Sequence, residues 1–332
     1  MECPDLDLVL DEAKTEDHDA IIAITEGEEL FGGLDYLPSK LRGWLKEGED
    51  QESCRRNLIF IRSQKIVGFI SLHFQNGRKA CVKFAFRISK MIRGQGYGRC
   101  LTELVQKYLR ENFSMVEKVI SAIGDHDLTD EEIRSSKHGE ALVVKSLLVY
   151  FFDMENITIA KTEENNLSLI QKTEFAKILR SQETVSFLLE CNLVHMDFIP
   201  ILLDTETDIE IATRQDQEVL LSGSLDQPTS FSILTLPYSV PKGNTRCAID
   251  VFSKKEDDLK KHIQQQIILL SKRKKSIGKG KTFLLLTVDQ TLEEAALEAM
   301  ESVGLGKYLY VFGNQRREVT HMFVYQKQVS NI

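Results

Sequence analysis

The sequence has little of what marks a secreted, membrane-embedded or nucleic-acid-bound protein. Its six cysteines (Cys3, Cys54, Cys81, Cys100, Cys191, Cys247) are scattered through 332 residues without a CxxC pair. That argues against a disulfide framework and predicts reduced thiols in a cytoplasmic protein. No apolar run approaches the roughly 20 residues that span a bilayer. The acidic opening, MECPDLDLVLDEAKTED, lacks the basic-then-apolar order of a secretory signal. Positive charge is also in deficit, with 42 Lys and Arg against 50 Asp and Glu and a net charge of −8. Nucleic acid is therefore not an expected partner, because phosphate binding runs on a basic surface. The basic run SKRKKSIGKGK closes a predicted helix, where cations complement the dipole. The histidines show no metal-ligand spacing, so no metal cofactor is expected.

Familiar glycine signatures are missing as well. A dinucleotide fingerprint needs G-x-G-x-x-G; counted from Gly94 its third position is Arg99, and counted from Gly96 it is Leu101. A P-loop needs G-x-x-x-x-G-K-[ST], and GKGKT (Gly278 to Thr282) has Lys275 where the first glycine belongs.

What is present is an ordinary globular composition, 42% hydrophobic and 28% charged, in a chain long enough for two domains. Asp7–Asp11 reads as a strand and Glu16–Glu26 as a helix. The loop GGLDYLP leads into a short helix through Trp44 and Leu45. NLIFIRSQKIVGFISLHFQNGRKACVKFAFRI supplies three strands with turns at SQK and QNG, an antiparallel meander ending at Ile88. A helix follows, with Leu101, Leu104, Val105, Tyr108 and Leu109 on one face. KVISAI is a fifth strand, LTDEEIRSSK a helix and ALVVKSLLVYFF a sixth strand. Residues 6–155 form the first predicted domain, 156–172 a polar linker and 173–332 the second domain. In the second, DDLKKHIQQQIILL is a helix, TFLLLTVD a strand and TLEEAALEAMESVG a helix, with KYLYVFGN and EVTHMFVYQK as a closing hairpin. That order repeats the one after the glycines in the first half, predicting a duplicated architecture. Thr173 to Val251 shows no assignable pattern.

The densest chemical signal is MIRGQGYGRCL, Met91 to Leu101. Gly94, Gly96 and Gly98 fall where a helix begins, a place where backbone N–H groups and the helix dipole together bind an anion. Arg93, Gly96 and Gly98 fill the pattern [QR]-x-x-G-x-[GA], between the last meander strand and a helix. In that setting the sequence resembles the GNAT superfamily of acetyl-CoA-dependent N-acetyltransferases. The resemblance implies an α/β fold, a mixed, mostly antiparallel sheet flanked by helices, with a degenerate GNAT-like half after it. It also implies acetyl-CoA as co-substrate, its pyrophosphate on Arg93, Gly94, Gln95, Gly96, Tyr97 and Gly98. The pantetheine arm would lie on the backbone of Phe86, Arg87 and Ile88, where the fourth and fifth strands splay apart. FGGLDYLPSKLRGWL further resembles the corresponding segment of the vertebrate histidine N-acetyltransferase group, which makes Asp35 and Tyr36 expected walls of an acceptor pocket for a small amine such as free histidine.

Two family groups are absent. The fourth strand, KACVKFAFRI, carries no carboxylate to serve as general base, and no tyrosine lies between Ile120 and Val149 to protonate the leaving thiolate. His126 and His138 are the nominated catalytic groups, with Asp125, Glu28 and Glu29 behind them. The expected function is acetyl transfer to a small-molecule amine. Peptide or protein N-acetylation and a catalytically silent acetyl-CoA binder are the rivals.

Overall fold

The computed structural model describes residues 8–25, 34–124, 140–158, 166–214, 217–273, 280–305, 310–312, 315–317 and 319–329. Contacts divide the chain into two compact units, one of Met1–Ser121 with Gln326–Ile332, the other chiefly Ala141–Tyr325.

In the first unit, β1 (Leu8–Glu12) is followed by a single 3-10 turn and α1 (His18–Ala23), then α2 (Leu37–Gly48). The predicted meander is β2 (Arg55–Arg62), β3 (Lys65–Gln75) and β4 (Ala80–Ile88). Its turns fall at Ser63–Gln64 and Asn76–Arg78, where positive φ angles reverse the chain. Helix α3 (Tyr97–Asn112) leads to β5 (Lys118–Gly124). The sheet order is β1-β2-β3-β4-β5; β1 to β4 pair antiparallel and β4 pairs β5 in parallel. Period-two alternation sends the two faces of the meander to different helices. Leu58, Phe60, Leu72 and Phe74 pack with Leu101, Val105 and Leu109 of α3. Ile59 and Phe69 point the other way, against Ile21 of α1 and Leu37, Leu41 and Leu45 of α2.

The second unit contains β6 (Glu140–Phe152), β7 (Leu167–Ile170), α4 (Lys172–Arg180), α5 (Gln182–Leu188), β8 (Leu193–Met196), β9 (Ile199–Leu202) and α6 (Glu206–Arg214). Strands β10 (Gln217–Gly223), β11 (Pro228–Ser239) and β12 (Thr245–Phe252) precede α7 (Glu256–Lys272), β13 (Thr282–Asp289) and α8 (Glu293–Ser302). The sheet runs β6-β13-β12-β11-β10-β7, and only the β12–β13 pair, joined by α7, is parallel. The region that shows no sequence pattern thus holds, among its described residues, three short helices, a hairpin and three strands. The expected closing hairpin is smaller than predicted. Tyr310–Phe312 (β14) pairs with Gln315–Arg317 (β15), while Val319–Gln328 (β16) lies beside β6. Helices α7 and α8 cover one face through Leu259, Ile263, Ile267, Ala296 and Met300. His262, buried in α7, has both ring nitrogens satisfied, by Ser230 at 3.0 Å and Ser232 at 2.9 Å.

A different histidine is not so placed. His195 on β8 and Asp250 on β12 are both buried, with Nε2 to Oδ1 at 3.8 Å. Among the described residues, both ring nitrogens of His195 and Oδ1 of Asp250 lack hydrogen-bond partners. Burial pushes the Asp250 carboxyl up to about 8 from its usual 3.8, against hydrogen bonds from Thr287 and the Asp197 amide. Burial, and then the charge of Lys145, holds His195 down to about 3 from 6.5. The linkage signs follow. Between about pH 4 and 8 the folded state keeps a proton on Asp250 that the unfolded chain has lost, so stability falls as pH rises, with a limiting slope of about 1.4 kcal/mol per pH unit. Below about pH 6.5 the unfolded chain protonates a histidine that the folded state holds neutral, so stability falls as pH drops. Burial holds His262 down to about 3 as well, so the two histidines together outweigh Asp250 below about pH 6.5, and thermal melts from pH 4 to pH 9 should peak on the acid side of neutrality. Asp250→Asn should flatten the alkaline decline; a decline as steep as in the parent would show that Asp250 is not its source.

Candidate functional site

The glycine stretch opens α3 as predicted. Gly94 (φ 73°) and Gly96 (φ 85°) lie in the left-handed region, and Gly96 is the N-cap residue. A Cβ at either position would meet nothing within 4 Å, so the backbone angle, not crowding, calls for glycine here. Arg93 Nε donates to the Ile88 carbonyl at 2.8 Å and Gln95 Nε2 to the Met91 carbonyl at 2.9 Å. These bonds fold the loop back onto the end of β4. Tyr97 is buried beneath it, with the Arg62 guanidinium 5.0 Å from its ring centre. The loop is therefore shaped from below, and Arg93, Gly94, Gln95 and Gly96 stay exposed above.

Strand β4 is irregular where it reaches this loop. Ala85 has φ 55° and the register with β3 slips between Phe69 and Ser71. This bulge puts two consecutive residues, Phe84 and Ala85, on the α1/α2 face and re-aims the residues after it. Phe86 is left 40% exposed, edge-on to Phe60, while Arg87 turns inward. Among the described residues, the parallel ladder between β4 and β5 runs from Ala80↔Lys118 to Lys83↔Ser121, whereas β4 continues to Ile88. The segment Phe84–Ile88 thus lies past the end of that ladder.

Arg87, Asp35 and Tyr36, far apart in sequence, meet. Arg87 Nη2 donates to Asp35 Oδ1 at 2.9 Å, and its guanidinium lies 5.4 Å from the Tyr36 ring centre. Asp35 Oδ1 also accepts the Leu37 N–H at 3.1 Å, at the start of α2. The Asp35 carboxylate is therefore already engaged twice, as ion-pair partner and as support for the helix start. Around this group stand Trp44, edge-on to Phe84 at 5.1 Å, and Arg55, 4.9 Å from the Trp44 ring centre. The sequence reading did not single out Trp44, Phe84 or Arg55, because their contact joins α2, β4 and β2, which are distant in sequence. His126 and His138 lie outside the described residues, as do Asp125, Glu28, Glu29, Gly32, Gly33 and the helix predicted over LTDEEIRSSK.

The second unit differs at each equivalent feature. Its ladder holds from Thr245↔Thr282 to Asp250↔Thr287, nearly to the end of β12 at Phe252. The first turn of α7 carries Glu256, Asp257 and Asp258 behind a lysine N-cap. Three carboxylates at a helix N-terminus occupy the place of an anion and repel phosphate. One molecule of acetyl-CoA per chain is therefore the expected calorimetric stoichiometry. A value of two would place a site in the second unit.

Residues 19–131 match the family model "Acetyltransferase (GNAT) family", and residues 163–280 match "Histidine N-acetyltransferase, C-terminal". With the sheet and loop described above, these matches support an N-acetyltransferase whose residues 19–131 form a GNAT-type domain. Among curated proteins it is similar to the histidine N-acetyltransferase of Scomber australasicus, 24% identical over 84% of this chain and 83% of that one. It is also similar to that of Oreochromis niloticus, 21% identical over 86% and 85%. Among solved structures, a tandem GNAT protein from the clavulanic acid biosynthesis pathway superposes with a TM-score of 0.58 at 9% identity, covering 97% of this chain and 98% of that one. The N-myristoyltransferase of Saccharomyces cerevisiae, solved with bound myristoyl-CoA, gives 0.58 at 12% identity, covering 98% and 84%. Among the described residues, no helix is long and apolar enough to cross a membrane.

Proposed function

We propose that this protein transfers the acetyl group of acetyl-CoA to the amine of a small molecule, with free histidine the first acceptor to test. The observation that carries the reading is the junction of β4 with α3. There an exposed left-handed glycine loop opens a sixteen-residue helix directly after a strand whose ladder with β5 has ended. The loop amides and helix dipole suit a pyrophosphate. The backbone of Phe86, Arg87 and Ile88 suits an extended amide-bearing arm. A CoA thioester supplies an activated acetyl group. The names of the curated relatives support histidine, and the aromatic surroundings of Arg87 (Tyr36, Trp44 and Phe84) suit a flat ring.

The chemistry is attack of a neutral amine on a thioester carbonyl. An α-amino group has a pKa of about 8, so a fraction is neutral near physiological pH. His126 and His138 remain the nominated bases. Purified protein mixed with acetyl-CoA and a panel of free amino acids should release CoA, fastest with histidine. Release only with peptides would move the acceptor class to polypeptides. Binding of acetyl-CoA without release on any acceptor would make the protein a silent binder.

A further inference from the structure

Lys83 occupies the last rung of the β4–β5 ladder, opposite Ser121, two residues before the bulge at Ala85. Side chains two apart on a strand share a face, so Lys83 stands on the same face as Cys81, the one covered by α3. It is half-buried there. The amine thus lies where the two strands stop pairing, beside the segment assigned above to the arm of acetyl-CoA. Resting on that assignment, we propose that the Lys83 ammonium is the acid that protonates the departing CoA thiolate.

The surroundings suit an acid rather than a base. On the same strand, burial pushes the Cys81 thiol up to about 12, so it stays neutral. From α3, Tyr108 hydrogen-bonds Glu12 and is itself raised by burial, so it too stays uncharged. From the C-terminal segment, Lys327 brings a second positive charge; that segment is tied down by the Val329 N–H to the Glu117 carbonyl at 2.8 Å. Burial, and with it the like charge of Lys327, holds the Lys83 ammonium below the ordinary lysine range. An ordinary lysine, near 10.4, is a weak acid toward a thiolate whose thiol titrates near 8.5, and lowering the lysine narrows that gap. Among the described residues, two cations without a carboxylate act on Lys83, which also favours an anion forming on sulfur.

The step balances. The neutral acceptor nitrogen bonds to the carbonyl carbon and the carbonyl π pair moves onto oxygen. As the carbonyl re-forms, the C–S bond breaks and its pair leaves on sulfur. Lys83 gives that sulfur a proton and becomes a neutral amine. The acylated nitrogen loses its extra proton to water, and solvent reprotonates Lys83. The sum is amine plus acetyl-CoA giving N-acetyl amine plus CoA.

The test compares the full-length parent with Lys83→Met and Lys83→Arg from about pH 6 to about pH 10. Acetyl-CoA affinity is read by calorimetry, and kcat and KM with the best amino acid of the panel. In the parent, kcat should fall on the alkaline side as Lys83 deprotonates. Lys83→Met should lose roughly 10- to 100-fold in kcat, at the low end for acid catalysis because a thiolate leaves tolerably unaided. Its acetyl-CoA affinity should stay within about twofold, and its alkaline fall should disappear. Lys83→Arg keeps the charge but does not titrate, so part of kcat should return without the alkaline fall. Parental kcat and alkaline limb in Lys83→Met overturn the proposal, as does lost affinity with kcat intact. Should the methionine variant not fold, a retained alkaline limb in Lys83→Arg overturns it and an absent one supports it. A parent that binds acetyl-CoA but turns over no acceptor overturns the transferase function itself, a result separate from any effect at Lys83.

Discussion

Gly96→Asp is expected to abolish acetyl-CoA binding while leaving a folded protein. The position asks for φ 85°, and a Cβ there would project into open space. Aspartate is among the few side chains that tolerate the left-handed region, so the conformational cost is about 1 kcal/mol. Its carboxylate would stand at the N-cap of α3, where the pyrophosphate is assigned. An anion held there satisfies the amides that the phosphates need and repels the phosphates themselves. The loss should exceed roughly 100-fold in affinity, about 2.7 kcal/mol or more. Gly96→Asn has nearly the same shape without the charge, and its loss should be several-fold smaller. Calorimetry on both variants, with a thermal melt for each, reads the difference. Unchanged affinity in Gly96→Asp would remove the anion from this loop. Equal losses in the two variants would mean that backbone strain rather than charge is responsible.

The features that a short window of sequence encodes are the ones it revealed. The meander was readable because Leu58, Phe60, Leu72 and Phe74 alternate with residues of the other face, and because Ser63–Gln64 and Asn76–Arg78 are turn material. Helix α3 was readable from the spacing of its apolar face and its glycine start. Strand β12 was not, because all of Thr245–Phe252 is buried and no alternation survives. Helices α4, α5 and α6 are each too short to display a full amphipathic period more than twice. The bulge at Ala85 has no local signal, since alanine is not a residue that announces positive φ. That single feature decides the site. It exposes Phe86 and turns Arg87 toward Asp35, beside the Phe84–Trp44 contact. The nominated acceptor wall and the nominated cofactor strand are thus one connected group, a link across fifty-two positions that spacing could not show.

Asp35→Asn should lower the melting temperature first and the acceptor affinity second. The pair it forms with Arg87 is nearly dry, with side chains 14% and 8% exposed. Removing the carboxylate charge leaves the guanidinium buried without its ion-pair partner, a change that costs about 3–5 kcal/mol for fully buried pairs and less for a side chain that still offers an amide oxygen. A loss of about 2 kcal/mol corresponds to roughly 4–8 °C in a unit of this size. The Leu37 N–H keeps an acceptor in the amide oxygen, so the start of α2 should survive. Arg87→Met alone should be comparably destabilising, because it strands Asp35. The double variant Asp35→Asn/Arg87→Met should recover part of the combined loss, because no charge then remains unpaired. Kinetics then separate the two roles of Asp35. If the carboxylate also receives the acceptor amine, Asp35→Asn should raise the acceptor KM roughly tenfold or more, as for a charge-assisted hydrogen bond of about 1.5–3 kcal/mol. The KM for acetyl-CoA should stay nearly constant. A melt lowered as expected with an unaltered acceptor KM would confine Asp35 to holding the loop before α2 against the bulged strand. Recognition of the amine would then fall to groups other than Asp35.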